Sequence, residues 1–359
     1  MKVSVAICTW NRAALLDQTL ASFQELTIPP GLRWEILIVN NNCTDETQKV
    51  IEKYRTVLPI VALLETKQGQ SHARNCATNA ATGDVIVWTD DDVKPDPQWL
   101  VQYVEAFSRY PDASFFGGKI KPWYESVPPL WISENEQSFQ GMLVIRDLGA
   151  EERQFAVSTE NAVQSESPFG ANMAVRTDVQ RRHMYDPKLG KVKNSNVTAD
   201  ETDMFRRIRE SGGHGMWIPS ASIKHFVTRS RMTTRYLWSY HHGQGQSEVR
   251  TQVFLLPWNT PVFNHAPRWV YKKKYVTLAL SWSKWLVGHS DWAVTYARYA
   301  KYAGMIDEFH AMNWQPPPPP PPQLPSPQPP SPSTSTLLPH TADEFPSRRK
   351  SRTNIPVQS

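Results

Sequence analysis

Val85-Ile86-Val87-Trp88-Thr89-Asp90-Asp91-Asp92 is the stretch on which the reading of this chain turns. An unbroken apolar run this short reads as a strand covered on both faces rather than as a helix or a half-exposed strand. It ends in three carboxylates. Upstream, Val3 to Thr9, Trp34 to Asn40 and Ile60 to Leu64 are runs of the same kind. Helical patterns separate them, from Ala13 to Phe23, Glu46 to Tyr54 and Ser71 to Ala81, and a further helix opens at Asp96 and Pro97. Strand and helix alternating in this rhythm give right-handed βαβ units. They predict an α/β fold with a Rossmann-like, mostly parallel central sheet and helices on both faces.

Such sheets take ligands outside the carboxyl ends of their strands. Those ends are Thr9-Trp10-Asn11-Arg12, Asn40-Asn41-Asn42 and Asp90-Asp91-Asp92. No glycine-rich dinucleotide fingerprint follows the first strand and no P-loop occurs, so a diphosphate has to be held by other means. Three adjacent carboxylates repel one another unless a cation neutralises them, and hard divalent ions take oxygen ligands. A metal there can bridge to a diphosphate leaving group as a Lewis acid. The triplet alone fits a solvated acidic turn before a helix equally well.

The 359 residues leave room for one large α/β domain plus extensions. The net charge of +5, part of it from Arg348, Arg349, Lys350 and Arg352, gives no reason to expect a nucleic-acid partner. Cys8, Cys43 and Cys76 each lie in or beside a predicted core element and read as reduced thiols. The N-terminus enters its first strand without a signal-peptide pattern, so the expected location is cytoplasmic. Half of the 30 prolines fall between Pro316 and Pro356. That segment reads as a Pro-rich disordered tail, with a proline-motif docking site as the alternative.

Taken in order, the motifs between residues 3 and 245 resemble those of the family 2 glycosyltransferases of the GT-A fold. The residues that carry the resemblance are Val5 through Arg12, Ile38 through Asp45, Gly69 with Ala73-Arg74-Asn75, Ala81 through Asp84, and Thr89 through Asp92. It continues at Phe169 through Ala174, Asp200-Glu201-Thr202-Asp203 and Pro219 through His225.

The resemblance implies an inverting enzyme that moves a sugar from a nucleotide-diphosphate sugar to an acceptor hydroxyl, in polysaccharide or glycolipid biosynthesis. Its cofactor would be a divalent cation, Mn²⁺ or Mg²⁺. Thr9, Asn11 and Arg12 match the motif lining the nucleotide pocket, and Asn40 falls where the family often has an aspartate that reads the base. Asparagine brings no charge there, which leaves the base open. Arg74 matches a position near the nucleotide, Asp90 and Asp91 fall on the nucleotide side, and Asp92 is the implied direct metal ligand. His225 matches a histidine that completes the metal site in many GT-A enzymes.

Inversion needs a base for the acceptor proton, and the family supplies it from a Glu-Asp pair. This chain reads Asp200-Glu201, so Glu201 matches by position and Asp200 by chemistry. Without the resemblance, Arg74 reads equally as a helix-surface ion pair and the acids as an ordinary acidic first turn. Gly170 through Met173 is expected to form a close-packed turn near sugar and acceptor. Arg229, Arg231 and Arg235 can clamp a diphosphate or form a solvated basic face.

The expected division is a catalytic domain over 1–245, an aromatic and basic, mainly helical extension over 246–315, and the tail over 316–359. In the extension, Trp269-Val270-Tyr271-Lys272-Lys273-Lys274-Tyr275 is followed by Trp282, Trp285 and Trp292. Aromatics beside lysines suit peripheral contact with the inner face of a membrane through 269–306, as for a lipid-linked or glycan acceptor, or plain packing on the catalytic domain. Lys284, Asp291, Arg298 and Lys301 rule out a bilayer span between Val276 and Ile306. Two rival readings stand beside the transferase. A nucleotidyltransferase should carry a glycine-rich basic loop after the first strand, and a non-catalytic sugar-nucleotide-binding protein is suggested by the inverted acid pair.

Overall fold

A computed structural model describes residues 1–157, 166–188, 200–253, 256–257 and 259–319. From residue 320 on, the expected tail lies outside them. The first elements follow the predicted periodicities: β1 (Lys2–Thr9), α1 (Ala13–Phe23), β2 (Arg33–Asn40), α2 (Thr47–Tyr54), β3 (Ile60–Leu64), α3 (Gln70–Ala80) and β4 (Val85–Thr89). Next, β5 (Val93–Pro95) stands between the acid triplet and α4 (Trp99–Arg109), where the sequence pattern predicted only a helix. There follow β6 (Phe115–Tyr124), the short α5 (Leu130–Ser133) and α6 (Gln140–Leu143), β7 (Arg153–Gln154), β8 (Asn172–Arg176), α7 (Thr177–Arg182), α8 (Asp200–Glu210) and β9 (Gly215–Val227). The last elements are α9 (Thr234–Gln252), a small ribbon of β10 (Val262–Phe263) and β11 (Ala266–Pro267), α10 (Arg268–Leu286) and α11 (Trp292–Ala311).

Strands β1 to β9 form one sheet in the order β3-β2-β1-β4-β8-β6-β9-β5, with β7 beside β9. The β3-β2-β1-β4 half is parallel throughout. Beyond it β8 enters antiparallel between β4 and β6, while β6 and β9 are parallel to each other. Strand alternation explains the core. Val3, Val5 and Ile7 of β1 join Leu16, Leu20 and Phe23 of α1 and Trp99 and Tyr103 of α4 in one apolar layer. Ala6, between them, joins Ala73 and Ala77 of α3 and Phe205 and Ile208 of α8 in the other. Each face is covered by helices, so apolar residues run through the strands rather than at every second position, with Ser4 and Glu35 as a buried, hydrogen-bonded exception. Truncating a side chain such as Leu16 to alanine in such a core costs roughly 2–5 kcal/mol.

Helix α9 passes residue 245 without a break, and residues 1–317 make one compact unit. The expected boundary at 245 thus falls inside a helix. Helix α9 crosses α11 backbone against backbone. A Cβ on Gly245 would strike the Lys301 carbonyl, and one on Gly304 would strike the His242 carbonyl. Arg250 closes the same crossing with hydrogen bonds of 2.7 and 2.8 Å to Glu308.

Candidate active site

The turn after β4 is fixed from several sides. The Thr9 hydroxyl, at the end of β1, donates to Asp91 Oδ2 at 2.6 Å. Arg12 places Nη1 3.0 Å from Asp91 Oδ1 and 2.9 Å from Asp92 Oδ2. Thr19 of α1 donates to the Asp91 carbonyl and accepts from the Val93 N–H. The three-residue β5 then pairs antiparallel with β9, Val93 opposite His225, and the Phe226 N–H donates to the Asp92 carbonyl. That pairing brings a distant histidine onto the acids, with Nε2 3.4 Å from Asp92 Oδ1. Donor atoms of Asp90, Asp92 and His225 all lie within 4.8 Å of one another.

The electrostatics of this cluster are unbalanced. Burial pushes the Asp91 carboxyl up to about 6 against the opposing pull of Arg12. Asp90 is likewise raised, by burial and then by the Asp92 charge. Burial also opposes the Arg12 charge, but Asp91 and Asp92 hold its pKa above the ordinary arginine value. His225 drops to about 4, chiefly because burial disfavours the imidazolium, so at neutral pH its ring is a neutral donor. Asp92 Oδ1 is buried with no hydrogen-bond partner among the described residues. Two carboxylates, one of them with an unsatisfied buried oxygen, and a neutral imidazole fit a divalent cation, with Mn²⁺ more at home beside imidazole than Mg²⁺.

The second strand end is a folded turn. Asn40 accepts from the Cys43 N–H at 2.8 Å and lies 3.4 Å from Gln48, so its amide is engaged locally. Asn11, with φ of 52°, accepts from the Thr44 N–H at 2.7 Å. Asn41 donates to the Glu65 and Lys67 carbonyls and accepts from the Gly69 N–H, holding the loop that leads into α3.

A second charged cluster joins α3 to α8. Buried Arg74 lies 3.2 Å from Asp200 and 2.5 Å from Glu201, above the Tyr185 ring. Ser71 donates to Asp200, and the Gly170 N–H donates to Glu201 Oε2 at 2.9 Å. A Cβ on Gly170 would collide with the Glu201 carboxylate and the Arg74 guanidinium, so only glycine fits there. Desolvation raises the Glu201 pKa, opposed by Arg74 and assisted by Asp200. Its side chain keeps 26% of its exposure. Asp90 contributes to the electrostatics of both Arg74 and Glu201, which links the two clusters.

Of the residues singled out in the sequence, Thr9, Arg12, Asp90, Asp91, Asp92 and His225 meet in one cluster, and Arg74, Asp200 and Glu201 in the other. Asn11 and Asn40 sit in the turn beside them. Asn172 is a packing hub instead, with its amide used by Trp99, Tyr103 and two backbone carbonyls. Among the three arginines after β9, Arg231 has a buried Nη1 without a hydrogen-bond partner among the described residues and contributes to the charge environment of His225. Arg229 and Arg235 are exposed. Sequence reasoning missed Thr19, Ser71 and Tyr185, and gave Asn41 no role beyond its place at a strand end. Their signals are single side chains reaching elements far along the chain.

Among curated proteins, the chain is 26% identical over 262 residues to a glucosyl-dolichyl phosphate glucuronosyltransferase of Haloferax volcanii, covering 72% of this chain and 79% of that one. It is 22% identical over 252 residues to the succinoglycan biosynthesis protein ExoM of Rhizobium meliloti, covering 70% and 75%. Among solved structures, it overlays with a TM-score of 0.49 and 17% identity on a mannosyltransferase of Pyrobaculum calidifontis in complex with GDP-Man and Mn²⁺, over 87% of this chain and 85% of that one. Residues 4–159, which hold the β1 motif, Asn40, Arg74 and the acid triplet, match the family model for glycosyl transferase family 2.

Proposed function

We propose that this glycosyltransferase moves a sugar, with inversion, from a nucleoside-diphosphate sugar to a hydroxyl of a glycan or lipid-linked acceptor. The observation that carries the proposal is the convergence of Asp90, Asp92 and His225 at the end of β4, with Asp92 Oδ1 left unsatisfied. In this reading Asp92 and His225 hold a divalent cation, while Asp90 and Asp91, with Thr9, Asn11, Arg12 and Asn40, line the nucleotide pocket. The cation, when bound, offsets charge on the diphosphate leaving group. Glu201 takes the acceptor proton while that oxygen attacks the anomeric carbon, and the bonding pair of the breaking C–O bond leaves with the nucleoside diphosphate. A carboxylate raised by desolvation and steered by Arg74 and the Gly170 N–H suits that role, since each oxygen keeps a lone pair free. The two curated relatives, named for a glucosyl-dolichyl phosphate substrate and for succinoglycan biosynthesis, support the acceptor class.

A second reading rests on Arg12. Its guanidinium already bridges Asp91 and Asp92, and a transferase that uses this arginine as its counter-charge would turn over without metal.

Incubating the full chain with a panel of nucleotide sugars, with and without Mn²⁺, and scoring nucleoside diphosphate release separates the two. Release that depends on Mn²⁺ and is lost in Asp92→Ala supports the first reading, and metal-independent release supports the second. If no donor binds, and Asp92→Ala leaves thermal stabilisation by metal plus nucleotide unchanged, the assignment of the triplet fails. The anomeric configuration of the product, read by NMR, tests inversion.

A further inference from the structure

Helix α10 presents an apolar face that nothing among the described residues covers. Only Val270 and Ser281 are buried along its length. On the opposite side Tyr275, Val276, Leu280, Trp282, Leu286 and Val287 are exposed, Trp282 at 61% and Leu286 at 71%. At 100° per residue, Tyr275, Trp282 and Leu286 fall within a narrow stripe, and Val276, Leu280 and Val287 form a second one about 100° round the helix. An ordinary surface helix has the reverse pattern, polar residues outward, and exposed apolar residues contiguous on this scale mark an interaction surface.

The charges say what covers it. From residue 268 to 290 the chain carries Arg268, Lys272, Lys273, Lys274 and Lys284 and no aspartate or glutamate. Lys284 pairs with Asp291 at the helix end, but Arg268 and Lys272 to Lys274 have no carboxylate on this helix, so a second copy docked on the same face by two-fold symmetry would set these cations against one another. An anionic lipid surface meets both requirements, with headgroups for the lysines and the acyl boundary for Trp282, Leu286 and Val287. No described helix is long and apolar enough to cross a membrane, so the arrangement is that of a helix lying in the interface.

We propose that α10 is an interfacial docking helix that holds the enzyme on an anionic lipid surface. The docking is independent of the transfer chemistry, and vesicle binding and nucleotide binding are separate readouts.

The test is co-sedimentation of the full chain with vesicles of phosphatidylcholine alone and of phosphatidylcholine mixed with phosphatidylglycerol. Binding is expected to the mixed vesicles only, and to fall as salt is raised. Trp282→Ser with Leu286→Ser, and separately Lys272→Glu with Lys274→Glu, should each weaken partitioning by roughly tenfold or more. All these side chains are solvent-facing or half-exposed, so melting temperature and turnover on a soluble acceptor should match the parent protein. Equal binding to both vesicle types, or unchanged binding in both double variants, overturns the proposal. So does concentration-dependent self-association that the Trp282→Ser/Leu286→Ser variant abolishes while the parent protein ignores lipid.

Discussion

The two charged clusters at the mouth of the sheet are built on opposite principles. At Asp200-Glu201, a buried guanidinium lies against both carboxylates, a hydroxyl and a backbone N–H complete the bonding, and a glycine leaves space for the arrangement. At Asp90-Asp91-Asp92, one half-exposed arginine serves two of three acids, and a buried oxygen is left without a partner. The first cluster is finished by the chain itself and serves to position a group. The second stays short of positive charge, as suits a place where charge arrives with a ligand.

The sharpest way to break this contrast is Arg74→Ala, which strands two carboxylates in a buried site. It should destabilise the fold by about 3–5 kcal/mol in denaturant titrations and abolish turnover. A stable, active Arg74→Ala protein would mean the acid pair needs no internal cation. Glu201→Gln should cut turnover by about 10²–10⁴-fold while donor binding, read by calorimetry, is kept. Unchanged turnover would move the base to Asp200.

On the other cluster, Asp92→Asn should weaken Mn²⁺ binding by at least about 100-fold. Without metal, its melting temperature should equal or exceed that of the parent, because it removes a like charge. A clear loss of metal-free stability would show that the triplet is self-sufficient. The smallest effect is in pH. Asp91 is raised to about 6 from 3.8, so the metal-free fold binds an extra proton there. Its contribution to stability is full below about 3.8 and declines as pH rises through about 6. Mn²⁺ should reverse that slope by stabilising the protein more at pH 7.5 than at pH 5, and parallel thermal scans with and without metal would show it.

Much of this was legible from residue order. The four parallel strands announced themselves because strands buried on both faces are mostly apolar along their length, and their polar ends named Thr9, Asn40 and the triplet. The entry of His225 was legible only by resemblance. Its physical cause is β5, too short at Val93–Pro95 to show a period before a helix. Arg74 with Glu201, and Arg12 with Asp92, are 127 and 80 residues apart in sequence, and ion pairs formed across a fold leave no periodic trace. The Asn172 turn was expected near the ligand because its neighbours are small. Gly170 of that turn reaches Glu201, while tryptophan, tyrosine and backbone partners claim the Asn172 amide, and only the packed structure reveals them.

The glycine crossing of α9 and α11 bears on how this enzyme can be shortened. Gly245 and Gly304 let two main chains touch, so each helix serves as the other's wall. A protein trimmed at the apparent end of the family motifs would expose that seam to water, leaving Gly245 without the helix it packs on and removing the Arg250–Glu308 pair altogether. The last two helices are better regarded as the back of the catalytic unit than as an appendage, and Pro317 is the natural place to stop.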